Sequence, residues 1–162
     1  MDLQPFQIER DLPLVSVWLN RPHVARWWGD SAETLAELRA HRPEAVAVIT
    51  LDARPVGLLC WQTPSRAELS QAGLADLPSE LIDVDILLGE EDAQGRGVGP
   101  AALGLLFDRL RAQGATLVGI AAAMENQRAL AAYAKAGFQP YRDFVELGAP
   151  YRYFIRHLTD PA

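Results

Sequence analysis

Apolar residues recur along the chain at strand-like and helix-like spacings in turn, and this alternation predicts the order of its elements. Short apolar runs or alternating patterns predict strands at 6–10, 45–51, 55–63, 81–89, 116–123, 138–147 and 151–158. Helical spacing predicts helices at 11–20, 30–41, 100–113 and 126–137. The order predicts an α/β (α+β) fold in a single domain of residues 1–162. We expect a mixed, mostly antiparallel central sheet flanked by helices, with one parallel strand–helix–strand step in the second half.

Local signals place several boundaries of these elements. Asp30 precedes Glu33 by the spacing of a helix N-terminal capping box. Asn126 and Gly137 are typical cap residues for the start and end of the last helix. Residues 63–80 form a long polar connection, whose length is typical of a functional lid or mobile segment, with an internal short helix as a further possibility.

Composition and charge limit the class of protein. The apolar fraction of 49% and the charged fraction of 22% are those of an ordinary globular protein. The formal charge of −6 argues against nucleic-acid binding, which needs a basic face; the acids serve either solubility or attraction of a cationic substrate. Cys60 is the only cysteine, so neither a disulfide framework nor a zinc site is expected. Without a signal peptide or a bilayer-length apolar stretch, we expect a cytoplasmic protein with no membrane partner, monomeric or homodimeric.

A glycine-rich segment, "EDAQGRGVGPAA" at 91–102, follows a predicted strand and opens a predicted helix. Such a loop offers backbone N–H groups at a helix N-terminus, where the dipole favours an anion such as a phosphate. The string also fits the dinucleotide fingerprint, but the next strand ends without the acid that holds the ribose. A triphosphate loop would end in Gly-Lys-Ser/Thr, which this segment does not.

A third pattern fits the loop better, because its residues read Q-x-x-G-x-G between a strand and a helix. This resembles the acyl-coenzyme-A loop of the GCN5-related N-acetyltransferase (GNAT) superfamily, and the later string "ENQRALAAYAKAGF" at 125–138 resembles a second motif of that superfamily. The resemblance implies a GNAT fold and acetyl-CoA as cosubstrate, without a metal. It implies that the loop cradles the pyrophosphate and that Asn126 contacts the pantetheine arm. Tyr133 would lie near the coenzyme sulfur, either protonating the thiolate or orienting it. The implied loop residues are Gln94, Gly95, Arg96, Gly97, Val98 and Gly99.

The segment "WLNRPHVARWWG" at 18–29 resembles the N-terminal signature of aminoglycoside 6′-N-acetyltransferases, the Ib-like branch in particular, and a similar segment occurs in acetyltransferases of siderophore hydroxylysine. This resemblance implies that Trp28 lines the substrate cleft and that Asp85 meets the reacting amine. The chain departs from these relatives in two places. The stretch from Asp85 to Gln94 is longer, and alanines replace an acid at the end of the next strand, where Glu125 is the candidate substitute.

The residues of the predicted central strand support an amine substrate independently. Asp83 and Asp85 share one face of an otherwise apolar strand, which is costly unless that face is wet or binds cations. The alternative is that both acids line an exposed sheet surface, and Trp28 is equally well a packing residue. Glu146, before the last strand, is a further acid that we assign to substrate binding.

The two resemblances together imply transfer of an acetyl group from acetyl-CoA to a primary amine, most specifically the 6′-amine of an aminoglycoside antibiotic. We predict that Asp85 accepts the amine's proton, directly or through water, or only binds the cation. A backbone N–H near Leu87 or Leu88 would polarise the thioester oxygen. The alternatives are acetylation of another amine, such as hydroxylysine, a polyamine or a peptide N-terminus, and a non-catalytic acyl-CoA-binding module.

Overall fold

A computed structural model describes residues 1–159 of the chain. Its helices are α1 Ile8–Leu19, α2 Pro22–Trp28, α3 Ser31–Ala40, α4 Arg66–Gln71, α5 Val98–Ala112 and α6 Gln127–Lys135. Its strands are β1 Asp2–Pro5, β2 Val46–Leu51, β3 Arg54–Gln62, β4 Ile82–Leu88, β5 Leu117–Ala123, β6 Gln139–Glu146 and β7 Ala149–His157. The strands form a seven-stranded sheet in the order β1-β2-β3-β4-β5-β7-β6, which confirms the mixed fold and the central position of β4.

The chain divides into two compact units. The first unit comprises Met1–Cys60 and Ile86–Ala102, and the second comprises Trp61–Asp85 and the chain from Leu103 onward. Because β3, β4 and α5 each run through a boundary, both units contain parts of these elements. The prediction of a single domain stays a prediction.

In the first unit, β1, β2 and β3 pair antiparallel, as the predicted hairpin requires. The β2–β3 turn has positive φ at Asp52 and Ala53 (51° and 63°), the backbone of a two-residue hairpin turn. Helices α1, α2 and α3 all contribute apolar side chains to the core of this unit. The core consists of Phe6, Leu12, Val15, Trp18, Leu19, Val24, Leu38, Val46, Val48, Leu58 and Leu87.

In the second unit, β4 and β5 pair parallel, and β7 pairs antiparallel with both β5 and β6. This confirms the predicted parallel step between β4 and β5. On one side, Tyr133, Phe138, Phe107 and Phe154 form a chain of edge-to-face aromatic contacts. A separate apolar cluster, which we call the connection cluster, contains Leu69, Leu74, Leu77, Leu81, Leu117 and Tyr153.

Three parts of the chain differ from the periodic pattern, and one of them is helix α2, which forms where no helix was predicted. Residues 6–10 were predicted as a strand, but β1 ends at Pro5 and α1 begins at Ile8. The Asp11 side chain explains the earlier helix start, because its Oδ2 accepts the Gln7 backbone N–H at 2.8 Å. In the long polar connection, Ser65 caps the short helix α4 with a complete capping box.

Candidate active site

The glycine loop has the backbone geometry of an anion cradle. Gly95 and Gly97 have positive φ (72° and 75°) on either side of Arg96. Alternation of this kind turns successive N–H groups toward one point. A Cβ added at Gly95 or Gly97 would meet nothing within 4 Å, so these glycines serve backbone conformation and an open concave surface. Helix α5 begins at Val98, and the first-turn N–H groups of a helix have no acceptor within it.

Side chains of the N-terminal signature (residues 18–29) form hydrogen bonds with the segment that leads from β4 into this loop. The Trp18 indole N–H donates to Glu90 Oε1 at 3.0 Å, and Arg21 Nη1 donates to Glu90 Oε2 at 2.7 Å and to the Gly89 carbonyl at 3.0 Å. His23 Nε2 lies 3.1 Å from the Leu88 carbonyl oxygen and donates to it. The hydrogen bonds that Trp18 and then Arg21 donate to the Glu90 carboxylate lower its pKa, with Trp18 contributing most. The carboxylate is therefore held ionised between its two partners.

Two glycines are needed for this arrangement of the first unit. A Cβ at Gly89 would lie 2.0 Å from Cγ of Trp18, so the indole packs directly on the backbone. A Cβ at Gly57 would lie 2.4 Å from the Leu87 carbonyl oxygen. Both Gly89 and Glu90 donate their N–H to the Val56 carbonyl, at 2.9 and 3.2 Å, which is the pattern of a β-bulge. The backbone following Leu87 and Leu88 is thus fixed by packing and hydrogen bonds.

Sequence reasoning did not assign Trp18, Arg21 and Glu90 to the site. The N-terminal signature contained the signal, since Trp18 and Arg21 belong to it, but their partner lies about 70 positions later in the chain. The loop itself is tied by a further ion pair, in which Arg54 Nη2 lies 2.9 Å from Asp92 Oδ1. This hydrogen-bonded pair lowers the pKa of Asp92 and raises that of Arg54.

In the second unit, the registered pairs of β4 with β5 are Ile82 with Val118 and Asp83 with Gly119. Both strands continue past these pairs, β4 to Leu88 and β5 to Ala123. Asp85 lies on β4 two residues beyond the Asp83–Gly119 pair, and its side chain is exposed. A carboxylate there faces water, as binding of a cationic substrate requires.

Asp83 is in a different environment from Asp85. It is partly buried, and its Oδ1 accepts the Tyr153 hydroxyl at 2.8 Å. Burial, followed by repulsion from Asp85, raises the pKa of Asp83 to about 7. The two acids were predicted to share a face, and the structure separates them by environment: one is exposed and the other is withdrawn from water.

The predicted catalytic tyrosine, Tyr133, is buried on α6. Burial, with the nearby charges of Asp85 and Asp83, raises the pKa of its hydroxyl above the ordinary value. A tyrosine in this state stays protonated at neutral pH and acts as a hydrogen-bond donor. Its ring lies edge-on to Phe138 and Phe154, which fixes its position.

The other residues predicted to bind coenzyme or substrate lie on different elements of the fold. Trp28 ends α2 and packs, partly buried, against the core of the first unit. Asn126 is the N-cap of α6, its Oδ1 accepting the Ala129 N–H at 3.2 Å, and Glu125 is exposed beside it. Glu146 is exposed at the end of β6. Within the second unit, the charges of Asp85 and Asp83 act on the Tyr133 hydroxyl and raise its pKa. Glu146 lies elsewhere, at the tip of the β6–β7 hairpin.

The long connection at 63–80 is attached to β6. Arg142 forms two hydrogen bonds with the Asp76 carboxylate, at 2.7 and 2.9 Å, and one with the Gly73 carbonyl. The Tyr141 hydroxyl also donates to Asp76. These bonds hold the pKa of Asp76 well below its usual range. The described connection is therefore a packed segment with its own apolar residues in the connection cluster.

Comparison with known proteins identifies the family. A model of the acetyltransferase (GNAT) domain matches residues 7–145. The chain belongs to the GNAT acetyltransferases. This confirms the superfamily that the glycine loop and the Asn126–Phe138 motif predict.

The relatives found share much of the chain's length. Aminoglycoside N(6′)-acetyltransferase type 1 of Klebsiella pneumoniae is 26% identical over 91% of this chain and 79% of its own, and the Serratia marcescens protein of the same name matches equally. A structure of AAC(6′)-Ib with coenzyme A and kanamycin superposes with a TM-score of 0.77 at 23% identity, covering 96% of this chain and 93% of that one. An aminoglycoside N(6′)-acetyltransferase from Legionella pneumophila has a TM-score of 0.72 at 18% identity, covering 97% and 91%. These structures share the GNAT fold.

Residues 1–159 contain no group of three or more His, Cys, Asp or Glu placed to hold a metal ion. Across the same described range, no helix has the length and apolarity needed to cross a bilayer.

Proposed function

We propose that this GNAT acetyltransferase transfers the acetyl group of acetyl-CoA to the 6′-amine of aminoglycoside antibiotics. The observation that carries the proposal is the exposed carboxylate of Asp85, on the strand that runs directly into the glycine loop. Similarity to aminoglycoside N(6′)-acetyltransferases over 91% of the chain supports this substrate class. The proposal includes a cytoplasmic location, because the reaction consumes acetyl-CoA.

The loop's geometry fits the diphosphate of acetyl-CoA. Positive φ at Gly95 and Gly97 and the N-terminus of α5 supply N–H donors without a side chain in the way. The other loop residues in this role are Gln94, Arg96, Val98 and Gly99. Asn126 is proposed to contact the pantetheine arm, and the backbone N–H of Leu87 or Leu88 to polarise the thioester oxygen.

The chemistry is attack of the amine nitrogen on the thioester carbon. An ammonium has no lone pair, so a proton must leave before attack, and Asp85 is the proposed first acceptor, directly or through water. Tyr133, neutral and buried, donates a hydrogen bond toward the departing sulfur. Trp28, Asp83, Glu125 and Glu146 are the proposed substrate-binding residues, with the three acids contributing negative charge for a polycation.

Acetyl-CoA turnover across several amines tests the proposal. Purified protein should acetylate kanamycin-type aminoglycosides with a higher kcat/KM than polyamines, hydroxylysine or a peptide N-terminus. Mass spectrometry of the product should place the acetyl group at the 6′-nitrogen. Preference for one of the other amines would assign the chain to a different substrate of the same reaction, and absence of turnover with every amine would leave an acyl-CoA-binding module.

A further inference from the structure

One polar contact in the second unit spans three neighbouring strands. Tyr153 on β7 reaches across β5 and donates its hydroxyl to Asp83 on β4, at 2.8 Å. Gly119 on β5, the registered partner of Asp83, lies beneath the tyrosine ring. A Cβ at this glycine would lie 2.2 Å from the Tyr153 oxygen and 2.5 Å from its Cζ. Any other residue at 119 would displace the ring, so the contact depends on all three residues.

The face of β4 that carries Asp83 changes environment along its length. Leu81, two positions earlier and directly before β4 begins, is fully buried in the connection cluster, which also contains Tyr153. Asp83 is partly buried, and Asp85, two positions later, is exposed. Asp83 therefore lies where the apolar cluster ends and the water-facing part of the strand begins.

We propose that Asp83 is the group on which the amine's proton finally rests, with Asp85 as the intermediate carrier and Tyr153 as the residue that positions Asp83. This assignment rests on the proposed acetyl transfer and extends the role given above to Asp83. Alternate residues on one strand face are about 6.5 Å apart, a gap that one water molecule can span. The buried carboxyl also has the protonation behaviour that this role needs, because its pKa is raised to about 7.

The proton balance requires such an acceptor. The C–N bond forms as the C–S bond breaks, and the sulfur leaves with the bonding electron pair. Of the three protons on the ammonium nitrogen, one remains in the amide, one ends on the coenzyme thiol, and one goes to the Asp83 carboxylate. The charges of the ammonium and of Asp83 thereby cancel, and no other reactant is consumed.

Charged or titratable groups on β4, α4, β7 and α6 interact with Asp83. Asp85 on β4 and Glu68 on α4 raise its pKa by repulsion, whereas the Tyr153 hydroxyl lowers it by donating to the ionised form. The charge of Asp83 in turn raises the pKa of the Tyr133 hydroxyl on α6. Among residues 1–159, no ion pair of Asp83 is found. The carboxyl is thus free to change protonation without breaking a salt bridge.

The test is the pH dependence of kcat/KM with whichever amine the parent enzyme acetylates. Asp83→Asn should lower kcat/KM at pH 7 by about 10²-fold and abolish the acid limb of the profile. Tyr153→Phe should lower kcat/KM a few-fold and move the acid limb to higher pH, because the ionised carboxylate loses its donor. The amine's own pKa is the same for every variant, so a limb that moves belongs to the protein. Asp108→Asn, at an exposed carboxylate on α5, is the matched control and should behave like the parent.

A double variant separates positioning from packing. If Tyr153 acts only through Asp83, adding Tyr153→Phe to Asp83→Asn should leave kcat/KM unchanged from that of Asp83→Asn. Circular dichroism and the thermal shift with coenzyme A confirm that each variant is folded. Parent-like kcat/KM and an intact acid limb in Asp83→Asn would overturn the inference while leaving the acetyl transfer standing. A parent protein that acetylates no amine would remove the proposed function and this inference together.

Discussion

Replacing Asp83 by Asn should make the protein more stable at alkaline pH. The folded state raises the pKa of this carboxyl from 3.8 to about 7, through burial and then through repulsion from Asp85. The folded protein therefore holds a proton that the unfolded chain has lost, and stability decreases as pH rises from about 4 to about 7. An Asn side chain has no charge to bury, and its Oδ1 accepts the same Tyr153 hydroxyl.

The size of the gain follows from the two pKa values. At about 1.36 kcal/mol for each pH unit between them, the ionised carboxylate costs about 4 kcal/mol in the folded state above pH 7. The buried amide keeps part of its own desolvation cost, so we expect a gain of about 2 kcal/mol at pH 8. For a chain of this length that raises Tm by about 4–8 °C.

Thermal unfolding at pH 5 and pH 8 measures the effect. At pH 5 only the interval from about pH 4 to pH 5 has contributed to the cost of the carboxyl, so the Tm difference between the two proteins should be several degrees smaller there than at pH 8. At pH 8 the variant should melt higher. Asp108→Asn, at an exposed carboxylate, should show no such pH dependence. An equal Tm difference at both pH values would refute the reasoning, because the cost of Asp83 would then not come from its charge.

Four other predictions concern the loop and the substrate. Acetyl-CoA should raise Tm by mass action while NAD does not, and Gly97→Val should abolish that shift because φ is +75° there; a shift that survives would show that the loop does not hold the coenzyme. The KM of a turned-over aminoglycoside should rise with ionic strength, and a constant KM would leave the negative charge as a solubility feature. Asp85→Asn should lower kcat by about 10²-fold or more with coenzyme binding intact, and a rise in KM alone would restrict Asp85 to cation binding. Trp18→Phe, which removes the donor to Glu90 but keeps the packing on Gly89, should weaken coenzyme binding; unchanged binding would show that this hydrogen bond does not order the loop.

The sequence predicts those features that depend on neighbours along the chain. The β2–β3 hairpin, the Asp30 and Asn126 caps and the glycine loop each follow from residues a few positions apart, and the structure contains them all. The family follows in the same way from the loop and the α6 motif. The error at residues 6–10 is of the same local kind, because the Asp11 side chain caps a helix that the apolar pattern starts one turn later.

The side-chain pairs that complete the candidate site lie beyond local reasoning. Trp18 with Glu90, Asp83 with Tyr153 and Asp76 with Arg142 join residues separated by 66 to 72 positions. Each pair requires the sheet order and register, which no spacing within one element encodes. The different environments of Asp83 and Asp85 are likewise invisible to the strand pattern, which assigns both to one face and says nothing of what covers that face.

This difference in environment explains why a strand with two acids suits an amine substrate. An exposed carboxylate attracts a cation, but the bound cation stabilises the charge and lowers the pKa, so the group that binds best is a weak base. A carboxylate withdrawn from water has the opposite properties, because burial raises its pKa and reduces its access to the cation. One residue cannot meet both requirements at neutral pH. The alternation of β4 supplies both on one face, with Asp85 exposed to water and Asp83 hydrogen-bonded to the Tyr153 hydroxyl at the edge of the connection cluster. In the proton path that we propose, Gly119 contributes without touching a reactant, because only a residue without a side chain lets the tyrosine cross β5 to reach Asp83.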